Sequence, residues 1–239
     1  MQSLLKERLV DLASRAYRST GRFNYRWARG KLAHDPIFAA LIEQSVFPDG
    51  ARVLDLGCGR GLLPAWLLAA EQLAAQGDWP TAVAPPKGLR FRGVEVMARE
   101  ADCGNRALQP IHGQRVELSG GDMRSADLSD SDAITILDVF HYIPHAEQER
   151  MLDQIRAALG PGGLLVTRVG DASGGWRFAL SQIADRCISF AQGHRLARMW
   201  CRPLSGWISA LEARGFSVRA LPMNSGTPFA NVLLISRVV

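Results

Sequence analysis

Gly57, Gly59 and Gly61 stand at alternate positions directly after the run Arg52-Val-Leu-Asp-Leu56, with Cys58 and Arg60 between them. Glycines so placed let a chain turn tightly and bring its backbone against a ligand that a side chain would hold off. Asp55, inside the apolar run, can accept hydrogen bonds from the turn or from a ligand ammonium. The spacing excludes two phosphate-binding motifs. A dinucleotide fingerprint reads G-x-G-x-x-G and a phosphate cradle ends in Gly-Lys-Ser or Gly-Lys-Thr, whereas here Leu62-Leu-Pro64 follow, without a lysine. Two more carboxylates, Glu95 and Asp122, close strand-like runs, and a third, Asp138, shortly precedes His141 and Tyr142.

The elements that must position these groups are readable in outline. Val53, Leu54 and Leu56 predict a strand covered on both faces, hence a parallel sheet. In such a sheet ligands bind at the carboxyl ends of the strands, at the topological switch point. Arg90–Val96 reads as a second strand, Arg115–Arg124 contains a third and Ala133–Ile143 a fourth. Between the first two, Gly77-Asp-Trp-Pro and Ala84-Pro-Pro-Lys-Gly88 form an insertion that cannot be helix or central strand. Met151, Leu152, Ile155, Ala158 and Leu159 recur at helical spacing over 146–159, stopped by Gly160-Pro-Gly-Gly163. Leu164–Val169 is a fifth strand, Gly206–Arg214 a short helix, and Phe216–Leu221 and Asn231–Ser236 are two strands joined as an antiparallel hairpin. The fold class expected is α/β: a doubly wound, mostly parallel seven-stranded sheet with an antiparallel C-terminal hairpin.

Asp55-Leu-Gly-Cys-Gly-Arg-Gly61 resembles the first motif of the class I S-adenosylmethionine-dependent methyltransferases, and the later runs match that family's pattern in order. The resemblance spans about residues 45–239 and implies the Rossmann-like methyltransferase fold, with S-adenosyl-L-methionine as cofactor. It implies that Asp55, Gly57, Cys58, Gly59 and Gly61 line the cofactor and that Glu95, with Val96 beside it, receives the ribose hydroxyls. It implies too that Asp122 bonds the adenine amino group and that Met123 lies against the ring. Asp138 is expected to orient the methionine ammonium or the acceptor, or else to cap the loop that follows. Cys58 reads as a small filler rather than a nucleophile. No ligand cluster suggests a metal.

The fourth run bears on the acceptor. Methyltransferases acting on exocyclic base nitrogens carry Asp/Asn-Pro-Pro-aromatic there, but this chain has Asp138-Val-Phe-His141, so base N-methylation is disfavoured. The imidazole of His141, beside Tyr142, suits proton abstraction from a phenol near neutral pH and is the candidate catalytic base. Arg124 and Arg168, near strand ends, could meet an anionic acceptor. Trp176, Phe178, Phe190 and Trp200, within Gly170–Pro203, would give the acceptor an aromatic, apolar pocket.

The 239 residues, 47% of them hydrophobic, suit one α/β domain (45–239) preceded by a basic helical extension or lid (1–44). Net charge is +5, and the first 31 residues carry eight lysines and arginines against Glu7 and Asp11, leaving −1 for the rest. Leu5, Leu9, Leu12 and Ala16 recur at helical spacing there, and Phe23, Tyr25 and Trp27 lie among the arginines. This segment reads as a lid over the active site. Docking of an acyl carrier protein, peripheral contact with a membrane surface and, last, nucleic acid remain open beside it. No apolar run is long enough to span a bilayer, and the four scattered cysteines fit a reducing cytoplasm.

Arg29-Gly-Lys-Leu32, Arg168-Val-Gly-Asp171, Gly193-His-Arg195 and Gly226–Val232 further resemble methyltransferases of bacterial aryl polyene and xanthomonadin-type pigment clusters. That likeness implies secondary metabolism and methylation of a small aromatic or hydrophobic acceptor, including a carrier-bound phenol. The alternatives are a cofactor-binding subunit or regulator without acceptor chemistry, or an RNA methyltransferase.

Overall fold

Short runs rich in apolar residues and broken by Gly, Pro and acidic turns form strands, and seven do so here, not all of them covered on both faces. They are β1 (Arg52–Leu56), β2 (Arg90–Glu95), β3 (Val116–Gly120), β4 (Ala133–Leu137), β5 (Leu164–Gly170), β6 (Phe216–Pro222) and β7 (Asn231–Val238). The computed structural model describes residues 1–172, 199–223 and 231–239. The strands form one sheet of order β3-β2-β1-β4-β5-β7-β6. From β1 and β4 the order runs outward to β3 on one side and to β5 on the other, with β7 inserted between β5 and β6, which is the doubly wound pattern with β1 at its switch point. β1, β2 and β3 pair in parallel, whereas β7 runs antiparallel to both β5 and β6. The chain divides into two compact units, Met1–Ala133 and Ile134–Val239.

In the first unit, α1 (Ser3–Arg15), α2 (Arg22–His34) and α3 (Pro36–Glu43) precede β1, α4 (Leu62–Ala75) follows it, and α5 (Ala98–His112) links β2 to β3. Asp35 caps α3 by accepting from the Ile37 N–H at 3.1 Å, with Pro36 in the first helical position. The apolar stretch beginning at Leu62 is the start of α4, buried from Leu62 through Ala70, and its Trp66 donates Nε1–H to the Phe38 carbonyl at 2.7 Å. The N-terminal helices therefore belong with β1–β3, and α1 contacts α4. His112 is the last residue of α5.

Leu118 on β3 fills a space that three glycines vacate. A methyl on Gly61, Gly93 or Gly104 would come within 2.9, 2.6 or 2.5 Å of its δ carbons. Gly61 must be glycine for a second reason, its φ of +74°.

The second unit carries β5–β7 with α6 (His145–Ala158) and α7 (Leu204–Glu212). The fourth strand is shorter than the apolar pattern Ala133–Ile143 suggests. It stops at Leu137 because Asp138 takes a left-handed backbone, φ 62°, and Phe140–Tyr142 then forms one 3-10 turn. Trp176, Phe178, Phe190, His194 and the turn 224–230 lie outside the described residues.

Candidate functional site

The first unit builds a tight turn from backbone. Gly57, Gly59 and Gly61 all have positive φ (80°, 53° and 74°), so the chain winds tightly out of β1 into α4. The Gly57 and Cys58 N–H groups donate to the Val94 carbonyl at 2.8 and 3.2 Å, and Gly61 N–H to the Cys58 carbonyl at 2.9 Å. The turn has an inner and an outer face. Gly61 is packed against leucine methyls, whereas the space where a Gly59 side chain would stand is open for 4 Å.

Glu95 ends β2 and is buried. Its Oε2 accepts from Gly59 N–H at 2.9 Å and its Oε1 from Met97 N–H at 3.0 Å. A carboxylate has about four acceptor positions, so two remain for the two hydroxyls of a diol. Val96, next in the chain, is 68% exposed, an apolar side chain standing in the open beside that carboxylate. Asp55 is buried at the end of β1.

Asp122, two residues beyond β3, accepts from the Arg124 backbone N–H at 2.9 Å and from Nε and Nη2 of its guanidinium. Those hydrogen bonds hold its carboxyl below the usual carboxylate range. About one lone pair is left to accept from an amino group. Arg124 is therefore engaged by Asp122, not held open for an anionic acceptor as expected. Cys58 is buried against the place where a Gly93 side chain would be. Burial, with Asp55 and Glu95 nearby, pushes its thiol pKa far up; it stays protonated and serves as filler. The fit of the glycine turn, Glu95, Val96 and Asp122 to an adenosine-bearing ligand is good.

Sequence reading missed Arg60. Its Nε and Nη2 hold Glu100 at the start of α5, and its Nη1 donates to Asn24 Oδ1 on α2 at 2.8 Å. Its guanidinium carbon lies 4.7 Å from the Trp27 ring centre and 5.8 Å from that of Phe23. Tyr17, fully buried, donates its hydroxyl to the Arg60 carbonyl at 2.8 Å, and burial pushes its phenol pKa well up. Arginine inside a glycine turn, with aromatics at i and i+4 upstream, was the available signal.

The second unit presents Asp138, His141 and Arg168. Arg168, 4% exposed on β5, forks onto the Asp138 carboxylate through Nε (2.7 Å to Oδ1) and Nη2. Asp138 N–H also donates to the Arg168 carbonyl at 3.3 Å. Arg168 is thus an ion-pair partner, which replaces the expectation that it meets an acceptor anion. His141 is buried, its ring centre 4.3 Å from that of Tyr142. Burial lowers its pKa and the Asp138 charge partly restores it. The imidazole is consequently neutral at neutral pH, the form that accepts a proton.

Gln148, also unforeseen, holds this turn in place. Fully buried on α6, its Nε2 faces the carbonyls of Phe140, Ile143 and Trp200 at 3.0, 3.1 and 2.8 Å, while Oε1 accepts from Arg202 at 2.7 Å. Trp200 N–H in turn donates to the His141 carbonyl at 2.8 Å.

A family model described as a methyltransferase domain matches residues 26–221. Ubiquinone biosynthesis O-methyltransferase of Coxiella burnetii is 28% identical over 131 residues, 55% of this chain and 48% of that protein. Carboxy-S-adenosyl-L-methionine synthase of Chromohalobacter salexigens is 27% identical over 127 residues, 53% and 42%. The matched stretch is a little under half the length of these curated relatives. Among solved structures, magnesium protoporphyrin IX methyltransferase of Synechocystis PCC 6803 with bound SAH aligns with a TM-score of 0.60, 17% identity and coverage of 95% and 93%. Mitomycin 7-O-methyltransferase MmcR aligns at 0.61, 20% identity and coverage of 97% and 68%. At these identities the structural likeness establishes the fold.

Proposed function

Since the chain belongs to the methyltransferase-domain family, we propose that it transfers the methyl group of S-adenosylmethionine to a hydroxyl of a small aromatic or hydrophobic acceptor. The observation that carries this reading is the Glu95 carboxylate, fixed by Gly59 and Met97 N–H beside a glycine turn whose outer face is open. Glu95 would hold the ribose diol, Asp122 the adenine amino group, and Val96 and Met123 the ring. The bound cofactor supplies an electrophilic sulfonium methyl, so the protein's task is to align the acceptor and exclude water. His141, neutral at the working pH, takes the proton of the acceptor hydroxyl, an effect worth about 10²–10⁴-fold.

A phenolic head group of the aryl polyene type, presented on an acyl carrier protein, is the acceptor we favour. Arg15, Arg22 and Arg26 on α1 and α2 are exposed and have no acidic partner among the described residues, which suits an acidic carrier or, failing that, an anionic membrane surface. No helix among the described residues is long and apolar enough to cross a membrane, and buried thiols at Cys58 and Cys103 suit a reducing cytoplasm. Calorimetric titration with S-adenosylmethionine and S-adenosylhomocysteine tests the reading. Wild type binds both, and Glu95→Ala and Asp122→Ala each bind more weakly. No binding by wild type would reject it.

A further inference from the structure

We infer that Arg60 ties helix α2 to the cofactor turn, so that Asn24 and Trp27 govern cofactor affinity without touching the cofactor. This rests on the cofactor reading above. Arg60 lies between two glycines with positive φ, Gly59 and Gly61, which place it in the turn while its side chain runs back toward α2 and α5. Neighbouring Gly59 gives its N–H to Glu95, so a shift in the Arg60 backbone moves the donor that orients the ribose carboxylate.

The Arg60 side chain is held on every side. Its guanidinium spends Nε and Nη2 on Glu100 and Nη1 on Asn24, and Trp27 and Phe23 cover it. Glu100 is anchored at the first turn of α5, and Asn24 donates back to the Thr20 carbonyl at 2.8 Å and to Cys103 Sγ at 3.3 Å. Only 15% of the Arg60 side chain and 16% of that of Glu100 are exposed, so solvent screens the pair weakly. A planar fork with donors in three directions is something arginine offers and lysine does not. From behind, the Tyr17 hydroxyl fixes the Arg60 carbonyl, and the absence of a side chain at Gly104 lets α5 approach that same oxygen. The turn is thereby braced by three upstream residues, Tyr17, Asn24 and Trp27, from a segment that carries no cofactor motif.

The test is a cycle of S-adenosylhomocysteine dissociation constants, with thermal melting of each variant to confirm folding. Arg60→Met should bind at least ~10-fold more weakly, the scale of one desolvated cation–π contact with its hydrogen bonds. Asn24→Ala and Trp27→Leu should each lose about three- to tenfold, and Arg60→Lys should recover little of the loss. The double variant Arg60→Met/Trp27→Leu should bind within about twofold of Arg60→Met alone, because both changes remove one interaction. A purely structural role would lower melting temperature and leave these constants additive. Hydrogen exchange on wild type is independent of any variant: S-adenosylhomocysteine should slow exchange in α2 as well as in the glycine turn. A folded Arg60→Met that binds within twofold of wild type, or protection that stops at the turn, overturns the inference. Failure of wild type to bind overturns the cofactor reading and this inference with it.

Discussion

The turn after β1 and the turn after β4 both use left-handed backbone at a strand end, but different residue types make them. In Gly57–Gly61 the positive φ values fall on glycines and the turn's own N–H groups bond Val94 and the Glu95 carboxylate, with Tyr17 and, through the Arg60 side chain, Asn24 bracing it from upstream. In Asp138–Tyr142 the left-handed residue is an aspartate, and the restraints are side chains from distant points of the chain: Arg168 on Asp138, Gln148 on the carbonyls around His141. A turn made by backbone is written in its own residues. A turn made by side-chain clamps is written elsewhere.

That difference can be strained at either end. The largest effect is expected for Gly61→Ala, which forces a side chain into a left-handed site and drives a methyl to 2.9 Å from Leu108 and Leu118. Chemical denaturation should show a loss of about 3.5 kcal/mol, combining roughly 1–2 for the backbone with about 1–3 for overpacking. Gly59→Ala is the informative contrast. It meets no atom within 4 Å, so its stability loss should be only about 1 kcal/mol, while on the proposed cofactor reading the methyl takes ligand space and S-adenosylhomocysteine binding should fail.

In the other turn, Asp138→Ala leaves the buried Arg168 guanidinium without its carboxylate, at a cost of about 3 kcal/mol in the same measurement. If the two turns are separately held, S-adenosylhomocysteine affinity should change little unless Asp138 itself meets the ligand. A large loss of affinity with unchanged stability would assign Asp138 to the cofactor.

The smallest effect is one of pH. The His141 pKa in the folded chain lies below its ordinary value of 6.5 because the ring is buried. The unfolded chain therefore takes up the proton first, so stability is full above pH 6.5 and falls as pH drops toward the folded value, by at most about 1.4 kcal/mol per pH unit. His112, in the first unit, is shifted the same way by burial and by Arg115. Comparing wild type with His141→Gln between pH 7.5 and 5 isolates the second turn: the variant should lose less stability on acidification.

How much of this was legible follows from the same contrast. Strand runs, the glycine turn, Glu95 and the antiparallel hairpin are local patterns, and each appears in the fold where its residues suggest it. The fourth strand was read too long because Val139 and Phe140 prolong the apolar pattern and no Gly or Pro marks the break; aspartate enters the left-handed region without announcing it. Arg168 looked available for an acceptor because sequence does not show which carboxylate 30 residues away engages it, and Arg124 because Asp122, two residues back, was read for adenine and not as its partner. Gln148, a polar residue on an otherwise ordinary amphipathic helix, gave no sign that it would be buried among three carbonyls. The grip of Arg60 on Asn24 spans 36 residues, beyond the reach of any helical or strand period.

Leu118 carries a consequence for descent and for library design. Because its δ carbons occupy part of the volume that side chains at 61, 93 and 104 would need, a substitution at any of the three glycines meets the same leucine. A smaller residue at 118 would not by itself admit alanine at 93 or 104, because a methyl at 93 would also come within 2.8 Å of Cys58 Cβ and one at 104 within 2.7 Å of the Arg60 carbonyl oxygen. A combinatorial library that randomises these three glycines would return mostly dead clones whether or not 118 is opened alongside them.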